Sequence, residues 1–453
     1  MGADGETQEP VRQGNRLLQV PDIRCRPGSA SGRPENRRVT IAMRVALVNY
    51  RYFVSGGPER YMFNIKDVLE QNGHEVVPFS IKSSKNVPSP YEDDFLDTVD
   101  DQTYFAQSKK TLRVVLKSFA RMFYSFEAKK VFARFLDKHR PELVYIIHYH
   151  NKISPSIIDA AKARKIPVIH RISDFQYMCP NALFYNEKTG ICEDCLKGKV
   201  LSCVKNKCVM NSRVYSAIKF AAKKLHDFLH TTEKIDAFVV PSSFTMKKLN
   251  QFGIPMEKLH HIPTFFNLKN DDVEVSYEPY FLFVGRLEKQ KGLMTLLKAF
   301  VKTQIPLKII GFSNDGYEDE LKAFLSGMDH RIEFLGRKTF EEIEPYLKSC
   351  LCTVVPSEWY DNFPNVILES FAYKKAVVAT DIGSLPELVV DEETGCLFKY
   401  GDADDLADKT EKILKGEMSA KEMGEKAFAV LKDKYAPKTH YSQLISLFEG
   451  MNN

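Results

Sequence analysis

The chain has one tryptophan in 453 residues, no marked excess of either charge and no long apolar run. Each lack excludes something. Lys and Arg number 64 against 59 Asp and Glu, and a formal charge of +5 is too mild to argue for a nucleic-acid partner. No stretch of about 18 apolar residues occurs, so no transmembrane helix is expected. The first residues lack the apolar core of an export signal, so a cytoplasmic protein is expected. No internal repeat is visible. No Asp-x-Asp pair is placed to hold a catalytic metal, so none is expected.

What is present is ample core material. Hydrophobic residues make up 44% and aromatics 11%, and the length calls for two domains. Residues 1–42 differ in kind, being rich in Gly, Pro and Arg and poor in apolar side chains. Such a segment buries too little surface to offset its ordering entropy, so a disordered extension is expected. Met43 is read as the biological start, with a regulatory tail as the alternative. From Met43 onward, strand and helix patterns alternate as in a doubly wound α/β sheet. Two sets of strand candidates stand out. The first is 44–49, 75–79, 143–148, 167–171 and 237–241. The second is 280–284, 307–310, 332–335, 352–355 and 376–379. The join falls near His261–Asn267.

Two segments carry the chemistry. In Pro356–Glu369 a buried strand leads through a turn into a helix, with seven residues between Asp361 and Glu369. Loops at the carboxyl ends of strands in open α/β sheets bind ligands. One acid there suits sugar or ribose hydroxyls, and one near the helix start is favoured by the helix dipole. The same residues would also serve as a turn cap and a solvated helix position. The second segment, Tyr280–Gly292, ends an aromatic strand at Gly285 and sets Arg286 and Lys291 about a short loop before a helix. Cations beside a helix N-terminus make an anion site, and Arg forks onto phosphate.

Together the motifs resemble the retaining glycosyltransferases of family 4 type, with the GT-B fold, over nearly all of Met43–Glu449. "VGRLEKQKG" resembles the family's donor-phosphate motif and "DNFPNVILE" its paired acids. "SGGPER" resembles the glycine-rich loop; "DIGSLPELV" and "DEETGCLF" resemble the closing motifs of the donor domain. The resemblance implies an α/β, GT-B protein with two Rossmann-like domains facing a cleft. An acceptor-binding domain would span 43–265 plus a returning 437–453, with a cysteine-rich insertion at 179–208. A nucleotide-sugar domain would span 275–436.

It further implies that Gly56, Gly57, Gly285, Arg286, Lys291, Asn362, Phe363, Pro364, Asn365, Val366 and Glu369 bind the donor. Catalytic positions would be His150, Asp361, Glu369, Arg286 and Lys291, with Asp174 a weaker acceptor contact. For the glycine loop and for His150, plain structural roles remain open. The family usually has Glu where Asp361 stands, and His where Ser173 stands. The implied donor is a nucleotide-diphosphate sugar, and the acceptor a glycan or lipid-linked molecule in surface polysaccharide or glycolipid assembly. A sugar-nucleotide epimerase or phosphorylase is a weaker enzyme reading. A weakened sugar-nucleotide-binding subunit is the non-enzyme alternative, resting on Asp361.

Five of nine cysteines fall within 30 residues, at 179, 192, 195, 203 and 208. The C-x2-C pair with further cysteines has the look of a tetrahedral thiolate site, and a subset of the resembling transferases carries a similar insertion. Structural zinc on Cys179, Cys192, Cys195 and Cys208 is expected, with Cys203 an alternative ligand. An iron–sulfur cluster or free thiols are the other readings. Cys25, Cys350, Cys352 and Cys396 read as inert. Finally, Lys109–Arg140 carries ten basic residues against two acids, and Lys205–Lys224 six against none. Basic amphipathic helices fit peripheral contact with the anionic inner face of a membrane, or simply core helices with a solvated face.

Overall fold

The computed structural model describes residues 42–99, 111–268 and 270–451. The expected extension, apart from Ala42, and Cys25, Lys109 and Lys110 lie outside the described residues. Two parallel six-stranded sheets organise the rest. The first uses β1 (Arg44–Asn49), β2 (Glu75–Phe79), β3 (Leu143–His148), β4 (Val168–Arg171), β7 (Ala237–Val240) and β8 (Leu259–His261). A two-stranded hairpin, β5 (Tyr185–Asn186) with β6 (Gly190–Ile191), lies outside that sheet. The second sheet uses β9 (Phe281–Val284), β10 (Leu307–Ile310), β11 (Ile332–Phe334), β12 (Cys352–Val355), β13 (Val377–Thr380) and β14 (Gly395–Phe398).

The strands form where continuous apolar, β-branched runs suit a sheet covered on both faces. β12 (CTVV) and β13 (VVAT) are buried along their whole length. Strand order places the loops that matter. In the first sheet, β2-β1-β3-β4-β7-β8, the order reverses between β1 and β3. In the second, β11-β10-β9-β12-β13-β14, it reverses between β9 and β12. Loops on either side of such a switch point diverge and leave a crevice. The loops after β9 and β12 are the two chemistry-bearing segments.

Two sheet strands were missing from the sequence reading. β8 is three residues with two histidines, so it has no alternation to detect. β14 (GCLF) was read as a motif, not a strand; Gly395 is needed there because a Cβ would sit 2.0 Å from the Val377 carbonyl oxygen. The closing helix Pro437–Met451 packs Leu444 and Phe448 into the core beneath β1, with Val45 and Leu47. Its His440 bridges Tyr61 Oη (2.9 Å) and the Pro263 carbonyl (2.7 Å).

Candidate active site

The loop after β9 folds back on the loop after β12 through close backbone contact. Gly292 has φ +70°, and a Cβ there would lie 1.8 Å from the Pro356 carbonyl oxygen. Only glycine allows both the left-handed turn and this approach. The Glu358 amide donates to the Gln290 carbonyl at 2.8 Å and fixes the pair of loops. Gly311 also packs against the first loop: its Cβ would lie 1.9 Å from the Gly285 carbonyl oxygen.

This folding brings the expected donor residues together. Lys291 Nζ lies 2.8 and 3.1 Å from the two carboxylate oxygens of Asp361. Asp361 is 7% exposed, accepts from Ser357 Oγ at 2.7 Å, and its carbonyl accepts from Ser384 Oγ at 2.6 Å. Arg286, half exposed, pairs with Glu288. The indole of Trp359 lies under Lys291 at 5.1 Å, and its buried Nε1 has no hydrogen-bond partner. A buried donor left unpaired is costly unless a ligand supplies an acceptor. The helix Asn365–Ala372 begins beside these groups with no side-chain cap, so its first amides are available to an anion.

Glu369, 6% exposed in that helix, is held by Arg60 from the helix Gly57–Gln71. Arg60 comes from the other sheet's half, as the last residue of the SGGPER motif. Gly57 itself abuts Asn365: a Cβ on it would sit 3.0 Å from Asn365 Nδ2. Asn362 accepts from Thr245 Oγ1 at 2.7 Å and donates to the Ile172 carbonyl at 3.0 Å. It therefore pins the acid loop to the first half. Phe363 packs toward Tyr435, with ring centroids 6.0 Å apart. Pro364 is the residue preceding the helix, with Val366 in its first turn and half-buried.

His150 lies past the end of β3 and is 9% exposed, with its ring stacked on Tyr149 (4.0 Å) and edged by Tyr177 (5.0 Å). Burial, followed by the neighbouring His170 and His148, pushes it well below the usual histidine range, so it is neutral. It is His148, at the last position of β3, that meets Asp174, with Nε2 3.4 Å from Oδ2. A histidine as the last residue of a strand was the available signal for it.

The expected zinc site is not supported. Among the described residues no group of three or more His, Cys, Asp or Glu side chains is disposed to hold a metal ion. The thiols in direct contact run Cys179–Cys195–Cys203, a set different from the expected four. Contact with Cys195 and then burial push the Cys179 thiol up, while Cys208 accepts from Asn186 Nδ2 at 3.5 Å. What the insertion does reach is the acid loop. Glu193, between Cys192 and Cys195, accepts from Tyr360 Oη at 2.9 Å and pairs with Lys248 at 2.5 Å. Tyr360 is the residue before Asp361, and its ring packs on Phe244 at 4.7 Å. Arg60 and Trp359 fall inside motifs the sequence displays and Glu193 inside the cysteine-rich insertion, but nothing local singled out these three side chains.

The Glycosyltransferase Family 4 model matches residues 55–270 and the Glycosyl transferases group 1 model residues 266–430. An uncharacterized glycosyltransferase of Methanocaldococcus jannaschii is 28% identical over 46% of this chain and 58% of its own length. The amylovoran biosynthesis glycosyltransferase of Erwinia amylovora is 28% identical over 45% of this chain and 54% of its own. The matches thus span little more than half of these relatives. Sucrose-phosphate synthase from Thermosynechococcus elongatus shares the fold with a TM-score of 0.64 at 19% identity, over 90% of this chain and 99% of that one. Anabaena HepE, solved with UDP-glucose, has a TM-score of 0.58 at 14% identity, over 90% and 100%. At these identities the likeness is one of fold.

Proposed function

From a chain that is a GT-B glycosyltransferase of family 4 type, a Family 4 domain followed by a group 1 domain, we propose a retaining transferase using a nucleotide-diphosphate sugar. The acceptor is a glycan or lipid-linked molecule of a surface polysaccharide or glycolipid. The observation that carries this reading is the convergence of Arg286, Lys291, Asp361 and an uncapped helix N-terminus at one switch point. The domain limits proposed are 43–265 with 437–453 for the acceptor and 275–436 for the donor.

In this reading the donor's phosphates take Arg286 from Glu288 and lie against Lys291 and the first amides of the helix Asn365–Ala372. Glu369 leaves Arg60 and accepts from the ribose hydroxyls. Asp361 accepts from the sugar hydroxyls, and Trp359 Nε1 gains an acceptor. The bond from the anomeric carbon to the phosphate oxygen breaks, and the acceptor oxygen bonds to that carbon on the same face. The acceptor's proton passes to the departing phosphate. Fixed cations and helix amides stabilise the charge growing on the diphosphate. Asp361 is one methylene shorter than the family's usual Glu, and reactivity is sensitive to angstrom-scale placement. The neutral His150 is proposed to orient the donor sugar, with Asp174 on the acceptor side. The exposed apolar and basic face of the helix Leu112–Phe123 is proposed as a peripheral contact with anionic membrane.

HepE's structure with UDP-glucose makes UDP the first ligand to try, beside GDP, ADP, CMP and dTDP. A diphosphate at a hundredfold over its Kd should stabilise by about 2.7 kcal/mol. A melting shift with one of them supports the donor site, and turnover of its sugar by native and Asp361→Glu protein separates transferase from binding subunit. No shift with any would overturn the assigned phosphate site.

A further inference from the structure

Asp361 lies between two residues that the first half holds. Asn362, after it, is bonded to Thr245 and to the Ile172 carbonyl. Tyr360, before it, is seated in a socket that the cysteine-rich insertion completes. Its ring packs with the first half's core, against Phe244 at 4.7 Å and Phe184 at 6.2 Å. Gly383 also abuts it, where a Cβ would sit 3.3 Å from Tyr360 Cδ1. At the hydroxyl, Glu193 Oε1 accepts from both Tyr360 Oη, at 2.9 Å, and Lys248 Nζ, at 2.5 Å.

The socket is rigid where it matters. Phe184 is fully buried, its ring lies 5.0 Å from that of Phe175, and its carbonyl accepts from the Cys192 amide at 2.8 Å. Glu193 follows directly on Cys192, so its carboxylate rides on a packed frame. The insertion meets the second half elsewhere as well. Gly190, in β6, abuts Tyr400 beyond β14: a Cβ would lie 3.0 Å from the hydroxyl oxygen. Burial first, then Glu358 and Tyr400, push the Tyr185 hydroxyl of β5 up to about 12. Glu358 belongs to the acid loop and accepts at 2.5 Å from Thr295 Oγ1, in the helix Leu293–Thr303 that follows the phosphate loop.

Ser357, Ser384 and Lys291 bond to Asp361 from its own half and travel with it. They leave its place relative to the first half unset; Tyr360 and Asn362 set that. Reacting groups need a supporting shell that holds them to within about half an ångström. We propose that the cysteine-rich insertion is a clasp for the acid loop, with Glu193 a positioning residue that acts on Asp361 through Tyr360. That the position so set is the one sugar transfer needs rests on the transferase reading above. A contact that only stabilised the protein would leave the loop of the folded molecule where it is.

Trp359, the one tryptophan of the chain, adjoins Tyr360, so its fluorescence reports the loop without ligand or turnover. Glu193→Ala and Tyr360→Phe, each checked for folding by circular dichroism and melting, should shift its emission to the red and open it to quenching by acrylamide. Tyr360→Phe keeps the ring and removes one oxygen, so it serves if Glu193→Ala fails to fold. Glu193→Gln keeps an acceptor for the hydroxyl and should restore the native emission. Gly416→Ala strains a site with nothing within 4 Å of its Cβ, controls for lost stability, and should leave the emission unchanged. In transfer assays kcat should fall about tenfold in the first two variants, with UDP affinity unchanged because the phosphate contacts stay in place. Emission and quenching unchanged in the folded variants would overturn the proposal. So would Glu193→Gln behaving as Glu193→Ala, which would trace the effect to Lys248, or a moved loop with kcat intact. If the native protein transfers no sugar, the transferase reading falls alone, and the fluorescence still decides whether Glu193 holds the loop.

Discussion

Gly292→Ala is the sharpest probe of the site, because two separable costs meet at one atom. Its φ of +70° is unfavourable for alanine by about 1 kcal/mol. The added Cβ would also lie 1.8 Å from the Pro356 carbonyl oxygen and 2.8 Å from its carbon. Carbon–oxygen contacts sit at about 3.3 Å or more, so the two loops must part by roughly 1.5 Å. Overpacking of this kind costs about 1–3 kcal/mol, for a total of about 2–4. Gly416→Ala supplies the control, with φ +78° and nothing within 4 Å of its Cβ, so strain alone applies. Urea unfolding should therefore show about 1 kcal/mol lost at Gly416 and clearly more at Gly292. The parting also separates Lys291 from Asp361, now 2.8 Å apart. A misplacement near 1 Å costs on the order of a hundredfold in rate, so sugar transfer should fall by that much at Gly292 and not at Gly416. Equal destabilisation by the two substitutions, with transfer unchanged, would refute the reasoning.

Three further outcomes are expected. Arg60→Met should tighten UDP binding by up to fivefold, because the ligand no longer displaces a half-exposed ion pair worth about 1 kcal/mol; Glu369→Gln should loosen it, and loss in both variants would make Arg60 a ligand contact instead. Tyr360→Phe should cost about 1.5–3 kcal/mol in urea unfolding by removing one hydrogen bond to a carboxylate, and Glu193→Ala more, because its ion pair with Lys248 goes as well. The Tyr360→Phe cost should largely vanish when Glu193 is already Ala; full additivity would deny that it acts through this bond. Burial pushes His170 and His440 down to about 3, so the folded protein holds both neutral. The unfolded chain takes these protons first, so stability is full above about pH 6.5 and falls as pH drops toward 3, by about 1.4 kcal/mol per unit per histidine. A urea midpoint that does not move between pH 7.5 and 5 would contradict this.

Local chemistry made much of the protein legible in its sequence. β1, β3, β12 and β13 are apolar runs bounded by turn residues, and their burial follows from composition alone. Arg286, Lys291, Asp361 and Glu369 were found because a short loop before a helix forces residue types into fixed spacing. β8 and β14 escaped because three- and four-residue strands carry too little period. The cysteines show the limit of spacing: the five lie close in sequence, yet chain geometry sets Cys203 beside Cys195 and leaves no metal set among the described residues. Arg60 and Glu369 are 309 positions apart, and Glu193 and Tyr360 are 167. No local pattern links such pairs, because their contact depends on how two separately wound sheets come together. The sequence determined which groups could act, through periodicity and turn chemistry. Tertiary structure decided which of them meet, because long-range contacts are set by strand order and packing rather than by neighbours in the chain.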